Sequence, residues 1–519
     1  MDTSFNATTA DRIGQMKYSA VNFTHIKQTS IKAQREIAQL TFAERKLILK
    51  RIRTYIIENR DQLIAKVQRE TLKSRTDALI GEIFAVCDHL VFLEKNLEKF
   101  LQDKKIPTPI SLLGKKSRVY CDPLGTILII SPWNYPLYQA IVPITSALMT
   151  RNAVIYKPSE FTPLKGVVEE ILEYAFEDQR KSEEWVQIVY GDGEIGIGLI
   201  DLKPNKIFFT GSVSTGKKIM SQAAEYLIPV ELELGGKDAM VVMNDANIER
   251  ASSAALWGAL TNTGQSCTST EKVYIHESVY DEFKSLILKK AASIDQGVDR
   301  DGNCEIGLIT TKAQEKVILT HYEDALAKGA KELMPVDIDI NNHMISPIIL
   351  ENVTKDMLTY HEESFGPFVI LIPFQNEENL LEEINSSKYG LSGCVWSKNI
   401  ERAIQFAHRW ETGGVSINNV MLTEGNHSLP FGGVKESGIG RYKGEFGLYS
   451  FCNMKAILID GNHNNIDPNW YPYTPEKYRL MDQMTEGLYS SGIFNFIKFA
   501  FNGLKVEGLS NKLGRFKKR

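Results

Sequence analysis

From Thr41 onward the chain alternates apolar and polar residues at helical spacing. Thr41-Phe-Ala-Glu44 fits a capping box, in which the threonine side chain caps the helix start and the glutamate reaches back. Leu47, Ile52, Ile56 and Ile57 follow, which predicts one buried stripe. Residues 1–30 have no clear period and read as a loose arm. Helical patterning runs to about Asp103, before Pro107 and Pro109 break it. After that, short apolar runs alternate with helical segments. ILII (127–130), AVIY (153–156), VQIVY (186–190) and KIFF (206–209) predict buried strands, with helices near 137–150, 164–178 and 214–226 between them. That alternation predicts a parallel sheet covered on both faces. A second stretch, roughly 239–440, carries AMVVM, VYIH, FVILIPF and GCVWS with helices between. The expected fold class is α/β, with two such units and no internal repeat.

Composition adds bounds. At 519 residues the chain is too long for one core, so two or three domains are expected. With 43% hydrophobic and 24% charged residues it is an ordinary globular protein. A net charge of −4 gives no argument for nucleic-acid binding. Cys87, Cys121, Cys267, Cys304, Cys394 and Cys452 are scattered, without a CxxC pair or a His/Cys cluster at zinc spacing. No metal site is therefore expected, and the setting reads as reducing and cytoplasmic. The first residues lack the apolar core of a signal peptide, and no run is long and apolar enough to predict a membrane-spanning helix.

Five stretches carry candidate chemistry. FFTGSVSTGKK (208–218) runs from a strand through Gly211 to Gly216 at a helix start, a place where a backbone can approach a phosphate. It is neither GxGxxG nor a Walker pattern, and alone it is equally a structural turn. YKPSE (156–160) follows a strand, where Lys157 and Glu160 could hold ribose hydroxyls or simply form a solvated pair. SPWNYP (131–136) fixes Asn134 between two prolines; a rigid amide suits a developing oxyanion, and equally a satisfied turn. In ELELGGKD (231–238), Glu233 sits in an apolar context that raises a carboxyl pKa toward general-base work. TNTGQSCTST (261–270) surrounds Cys267 with small residues that leave room for a substrate. No histidine lies near it in sequence.

Together these motifs resemble the NAD(P)-dependent aldehyde dehydrogenase superfamily. PWNYP, KPSE, FTGSVSTG, ELGGK, GQSC, EESFGP (362–367) and PFGGVKESGIGR (430–441) occur in the family's order, with 34 residues from Glu233 to Cys267. The resemblance covers about residues 35–460. It implies a Rossmann-type cofactor domain, an α/β catalytic domain and a small β oligomerisation element. The implied division is an arm (1–30), an NAD-binding domain (31–235) interrupted by an oligomerisation hairpin near 110–123, a catalytic domain (236–450), an oligomerisation strand (451–465) and a C-terminal extension (466–519). Cys267 is implied as the nucleophile, Asn134 and the Cys267 N–H as the oxyanion hole, and Glu233 as the base that activates water. Lys157 and Glu160 are implied at the adenosine ribose, Glu160 favouring NAD, with NADP as the alternative. Gly211, Ser212 and Gly216 match the pyrophosphate turn, Glu363 the nicotinamide ribose, Phe365 the surroundings of that ring and Trp133 the cofactor lining. A homodimer or homotetramer is implied, pairing strands near 115–123 and 453–460. One departure stands out: GQSC is followed by Thr-Ser-Thr, which bears on substrate preference.

Beyond about residue 465 the tail is distinctive. Ile493, Phe494, Ile497, Phe501 and Leu504 can share a helical face, and from Ser491 there are seven basic residues and one acidic, Glu507. Such a helix suits an anionic membrane surface, or docks on its own or a neighbouring subunit. The first alternative points to peripheral association on the cytoplasmic membrane face and, by resemblance to the fatty-aldehyde branch, to an apolar substrate: a long-chain, terpenoid or carotenoid aldehyde. Competing readings are a general small-aldehyde detoxifying enzyme, a CoA-acylating semialdehyde dehydrogenase, a cysteine acyl-transferase without redox chemistry, and a non-catalytic scaffold. Glu233 argues against the CoA reading, because a thiolate acceptor needs no water-activating base.

Overall fold

A computed structural model describes residues 21–462 and 465–514. The chain divides into two compact units: the residues up to Gln102 with Cys121–Met454, and Asp103–Tyr120 with the residues from Lys455 onward.

The first unit holds two sheets. One contains β3 (Thr126–Ile130), β4 (Ala153–Lys157), β5 (Val186–Ile188), β6 (Lys206–Thr210), β7 (Val230–Glu233) and the short β17 (Gly438–Ile439), in the order β17-β7-β6-β3-β4-β5. All its pairings are parallel except β17 with β7. Alternate residues bury both faces. Ile127, Ile129, Val154, Tyr156 and Phe208 join one apolar cluster; Leu128, Ile130, Ile155, Ile207 and Phe209 join another. This is why the strands read as unbroken apolar runs. The second sheet contains β8 (Asp238–Val242), β9 (Thr270–His276), β10 (Lys331–Glu332), β13 (Ile348–Glu351), β14 (Phe368–Phe374), β15 (Ser392–Trp396) and β16 (Gly414–Ile417), in the order β10-β13-β14-β9-β8-β15-β16. Only β10 runs antiparallel to its neighbour. A two-stranded ribbon pairs β11 (Ile338–Asp339) with β12 (Met344–Ile345). Gly438 and Ile439, expected within the catalytic segment, instead extend the first sheet beside Glu233 and Leu232.

Two local expectations change. The expected loose arm is helical from Phe23, in a helix Phe23–Ile37 that buries Ile26, Ser30, Ala33 and Ile37; residues 1–20 lie outside the described residues. The capping box at Thr41 forms, but the stripe behind it is Ile48, Leu49, Ile52 and Ile56. Leu47 and Ile57 face outward. Ile52 and Ile56 are buried as expected, while Ile48 and Leu49 take the inward places one and two residues after Leu47.

The second unit carries β1 (Lys104–Ile106), most of β2 (Lys115–Pro123) and most of β18 (Cys452–Asp460), in the order β1-β2-β18. Lys115 pairs there with Asp460 and, at 2.9 Å, with Asp467. Two helices follow, Pro475–Tyr489 and Ile493–Leu513, packed on each other. Gly487 permits that approach: a Cβ there would lie 2.6 Å from the Asn495 carbonyl. Ile493, Phe494, Ile497, Phe501 and Leu504 are all exposed. No helix among the described residues is long and apolar enough to cross a membrane.

Candidate active site

Cys267 lies in the loop between a short helical turn, Thr261–Gly264, and β9. That turn is strained. Asn262 and Thr263 have φ of 52° and 56°, and Gly264 packs so closely on the Gly366 carbonyl that a Cβ would lie 2.0 Å from it. Side chains hold it in place: the Asn262 amide donates to the Gln265 carbonyl at 3.0 Å, and the Gln265 amide donates back to the Asn262 carbonyl at 3.0 Å. Thr268 donates to the Glu424 carboxylate at 3.0 Å and contacts Ser266 at 3.3 Å. The Thr-Ser-Thr departure therefore ties the cysteine loop to Glu424. Cys267 itself is half-buried. Burial, then the charge of Glu424, then Glu363, Asp238 and Glu233, push its thiol well above the usual range.

Asn134 is buried, and its Nδ2 donates to the Gln265 carbonyl at 3.0 Å, two residues before Cys267. The amide carries a second hydrogen, which leaves one donor for a ligand. The Asn134 carbonyl accepts from the Asn262 amide at 3.2 Å and from Lys73 at 2.7 Å. Lys73 in turn pairs with Glu82 at 2.8 Å, both side chains fully buried, and Glu82 accepts from the Tyr138 N–H at 2.8 Å. Sequence reasoning missed this network. Its one signal was a glutamate on the buried side of an otherwise apolar helical pattern.

Glu233 ends β7, buried, with neither carboxyl oxygen hydrogen-bonded by the protein. Burial and Glu231 raise its pKa well above the usual carboxylate value, against the opposing charges of Arg441 and Lys443. Gly432 leaves it space, since a Cβ there would stand 2.9 Å from Glu233 Oε1. The two glycines after Glu233 have separate duties. A Cβ on Gly235 would lie 2.0 Å from the Glu363 carboxyl, and one on Gly236 would lie 2.5 Å from the Cys267 carbonyl. The Gly236 N–H also donates to Glu363 at 3.0 Å. Burial and the Glu271 charge push Glu363 up to about 8.

Of the residues expected at a cofactor, Trp133, Lys157 and Gly211 follow or end the neighbouring strands β3, β4 and β6. Ser212 caps the helix Val213–Glu225 by accepting from the Thr215 N–H at 3.3 Å. Gly216 packs against Leu234, where a Cβ would come within 2.6 Å. Gly211 stands at the turn between β6 and that helix, so free N–H groups and the positive end of the helix dipole face outward there. The buried Lys157 lies 3.5 Å from Glu160. The Trp133 and Phe365 rings meet edge to face at 5.4 Å. Phe365 is held at a φ of 50°, its N–H donating to Glu271, which also pairs with the buried Lys237. An anion-binding turn, a carboxylate near a lysine, and an aromatic pair beside Glu363 fit the phosphates, a ribose and the ring of a dinucleotide. Among the described residues no cluster of three His, Cys, Asp or Glu side chains is arranged to hold a metal ion.

A cavity of about 490 Å³ reaches Thr261, in the turn before the cysteine loop, and Glu424, which accepts from Thr268 in that loop. Ile80, Phe84, Tyr135, Tyr138, Trp257 and Leu422 give it apolar walls, while Thr261 and Glu424 connect it to the Cys267 segment. Phe84, Trp257 and Leu422 are exposed at 66%, 47% and 51%, so the rim is apolar too.

The Asn134 amide is bonded to the segment just before Cys267, and the unpartnered Glu233 carboxyl lies close enough to act on the Cys267 thiol. The chain belongs to the aldehyde dehydrogenase family, whose profile matches residues 3–457. It is an oxidoreductase acting on aldehydes. It is 37% identical over 452 residues to 4,4'-diapolycopene aldehyde oxidase of Methylomonas sp, covering 87% of this chain and 84% of that protein. It is 32% identical over 419 residues to benzaldehyde dehydrogenase YfmT of Bacillus subtilis (strain 168), covering 80% and 84%. Among solved structures, an NAD+ complex of an aldehyde dehydrogenase from Bacillus cereus superposes with a TM-score of 0.78 at 29% identity, covering 85% of this chain and 89% of that one.

Proposed function

We propose that the protein oxidises an apolar aldehyde to its carboxylic acid with NAD, through an acyl-enzyme on Cys267. The observation that carries this reading is the apolar cavity that reaches Thr261 and Glu424 beside the Cys267 loop, together with the unpaired Glu233 carboxyl that acts on the Cys267 thiol. The relatives that act on a carotenoid-type aldehyde and on benzaldehyde support an apolar substrate.

Cys267 gives up its thiol proton to solvent and attacks the aldehyde carbon as the thiolate, and the carbonyl π pair moves to oxygen. The Asn134 Nδ2–H and the Cys267 N–H stabilise the resulting oxyanion. A bound nicotinamide supplies the hydride acceptor. As the oxyanion re-forms a C=O bond and hydride leaves, Cys267 carries a thioester. Glu233 takes a proton from water, the hydroxide adds to the thioester carbon, and the carbon–sulfur bond breaks to release the acid. Burial and the Glu231 charge raise the Glu233 pKa above the usual carboxylate value, which makes its ionised form a stronger base toward water. Gly211, Ser212 and Gly216 would hold the pyrophosphate of a bound dinucleotide, Lys157 and Glu160 its adenosine ribose, Glu363 its second ribose, and Trp133 and Phe365 would line the nicotinamide site. The Glu160 carboxylate repels a 2′-phosphate and so favours NAD over NADP.

The test is NADH formation with aldehydes of about two to eighteen carbons, with the wild type and Cys267→Ala. A rise in kcat/KM with chain length, abolished in Cys267→Ala, is expected; a preference for two-carbon aldehydes, or retained activity in the alanine variant, would refute the reading. The exposed apolar residues of the tail, beside Lys498, Lys505 and Lys512, support contact with an anionic membrane surface. Phe494→Ser/Ile497→Ser/Phe501→Ser should stop co-flotation with phosphatidylglycerol vesicles; unchanged flotation, or none in the wild type, rejects that role. The exposed edge of β18 supports a homodimer or homotetramer, read directly from the mass in solution.

A further inference from the structure

Three buried lysines are ion-paired: Lys73 with Glu82 at 2.8 Å, Lys206 with Glu231 at 2.6 Å, and Lys237 with Glu271. Lys443 is held differently. It is 4% exposed, and its hydrogen bond goes to a backbone carbonyl, that of Glu424, at 2.6 Å. Its ammonium stands 5.3 Å from the Tyr138 ring, 5.0 Å from Phe431 and 5.3 Å from Tyr442. Such a box favours a cation over a neutral amine. The backbone is strained to put it there: Lys443 has a φ of 67°, a conformation suited to glycine. Phe431 is followed by Gly432, the glycine against Glu233, and Tyr138 and Glu424 line the cavity beside the cysteine loop. The box is therefore built from walls of the reaction site.

We propose that Lys443 is a positioning residue for the cysteine chemistry: its boxed ammonium is the counter-charge that makes the Cys267 thiolate accessible near neutral pH. The inference rests on the reading of Cys267 as the nucleophile. The groups acting on the thiol are otherwise hostile to its ionisation, namely burial and the carboxylates of Glu424, Glu363, Asp238 and Glu233. Burial holds the Lys443 amine below the ordinary lysine value, opposed by Glu424, Glu233 and Cys267, which favour its charged form; His427 and His89 also face it. Burial keeps both imidazoles in their neutral form, His427 down to about 3. Arg441 acts on Glu233 but is tied to the Gly433 carbonyl at 2.8 Å. Lys443 bonds the Glu424 carbonyl, the Glu424 carboxylate accepts from Thr268 next to Cys267, and Cys267 packs on the apolar cluster that contains Tyr138, Phe431 and Tyr442, so the ammonium lies beside the cysteine loop. Coulombic coupling is reciprocal, so the thiolate that stabilises the ammonium is stabilised by it.

The experiment reads carbamidomethylation of Cys267 by iodoacetamide in the full-length protein from pH 6 to 10, quantified on the Cys267 peptide by mass spectrometry. Lys443→Met should move the inflection up by about one unit or more and slow alkylation at pH 7.5 by about tenfold, since one unit is a factor of ten. Lys443→Arg should keep the inflection near that of the wild type. Where Lys443→Met does not fold, as judged by near-ultraviolet circular dichroism, Lys443→Gln is read instead. An unmoved inflection in the folded neutral variant overturns the proposal, as does an arginine variant as shifted as the methionine one. Failure here with Cys267→Ala still inactive removes the role of Lys443 alone. NADH formation by Cys267→Ala would remove the nucleophile reading.

Discussion

Replacing Lys73 by methionine strips a fully buried carboxylate of its partner. Glu82 would keep one donor, the Tyr138 N–H, and the Asn134 carbonyl would keep only the Asn262 amide. Breaking one side of a buried pair costs about 3–5 kcal/mol, because the remaining charge has no compensation. Removing both charges is a different perturbation. Lys73→Met/Glu82→Met leaves no buried charge, and the losses are two neutral-type contacts: the Tyr138 N–H without its acceptor and the Asn134 carbonyl without one of its donors, roughly 1–3 kcal/mol together. Urea unfolding of the wild type, both single variants and the double variant measures the cycle. The double variant should be more stable than Lys73→Met alone, with a coupling of at least about 3 kcal/mol between the positions. The same four proteins assayed for NADH formation should rank in the same order, since the pair holds the segment that carries Asn134. Additive losses in the cycle, or a Lys73→Met variant within about 0.5 kcal/mol of the wild type, would refute the assignment of this pair as the support of the loop.

Gly236→Ala would push a methyl against the Cys267 carbonyl, a backbone atom that cannot swing away; overpacking there should cost about 1–3 kcal/mol and lower kcat/KM by more than tenfold, measured by urea unfolding and initial rates. Glu363, raised to about 8 from an ordinary value of 4.5, binds its proton more tightly in the folded state, so its contribution to stability is full below pH 4.5 and is lost as the pH rises through 8. Glu363→Gln should flatten that decline in the unfolding midpoint between pH 4.5 and 8. Because the Glu233 base works only when deprotonated, the rate of thioester hydrolysis should climb with pH above the ordinary carboxylate range, and Glu233→Gln should remove that limb. Phe84→Ser/Trp257→Ser should reduce kcat/KM for long apolar aldehydes by more than tenfold while changing it less than threefold for acetaldehyde, read by steady-state kinetics; these two side chains form the exposed apolar rim.

Much of the fold was legible because its strands are buried on both faces. ILII, AVIY and KIFF are apolar runs too short for helices, and the structure turns each into a parallel strand. The capping box was legible for a local reason, since its two partners are three residues apart. The helix Phe23–Ile37 was not, because its buried stripe passes through Ser30 and Ala33, which a hydrophobic pattern does not register. Within the site, local motifs identified the candidate residues, but their supports are distant in sequence. Lys73 reaches the Asn134 carbonyl across 61 residues, and Thr268 reaches Glu424 across 156. Lys443 read as one basic residue among many until its burial and its aromatic neighbours were seen. A charge's environment, unlike its identity, is a tertiary property.

The central claim is a covalent acyl-enzyme on Cys267 that Glu233 helps to hydrolyse. Glu233→Gln incubated with NAD and a long-chain aldehyde, quenched in acid and digested, should show the acyl mass on the peptide containing Cys267, with one equivalent of NADH formed per active site in a burst. No acyl adduct despite NADH formation, or an adduct on a different cysteine, would contradict the account.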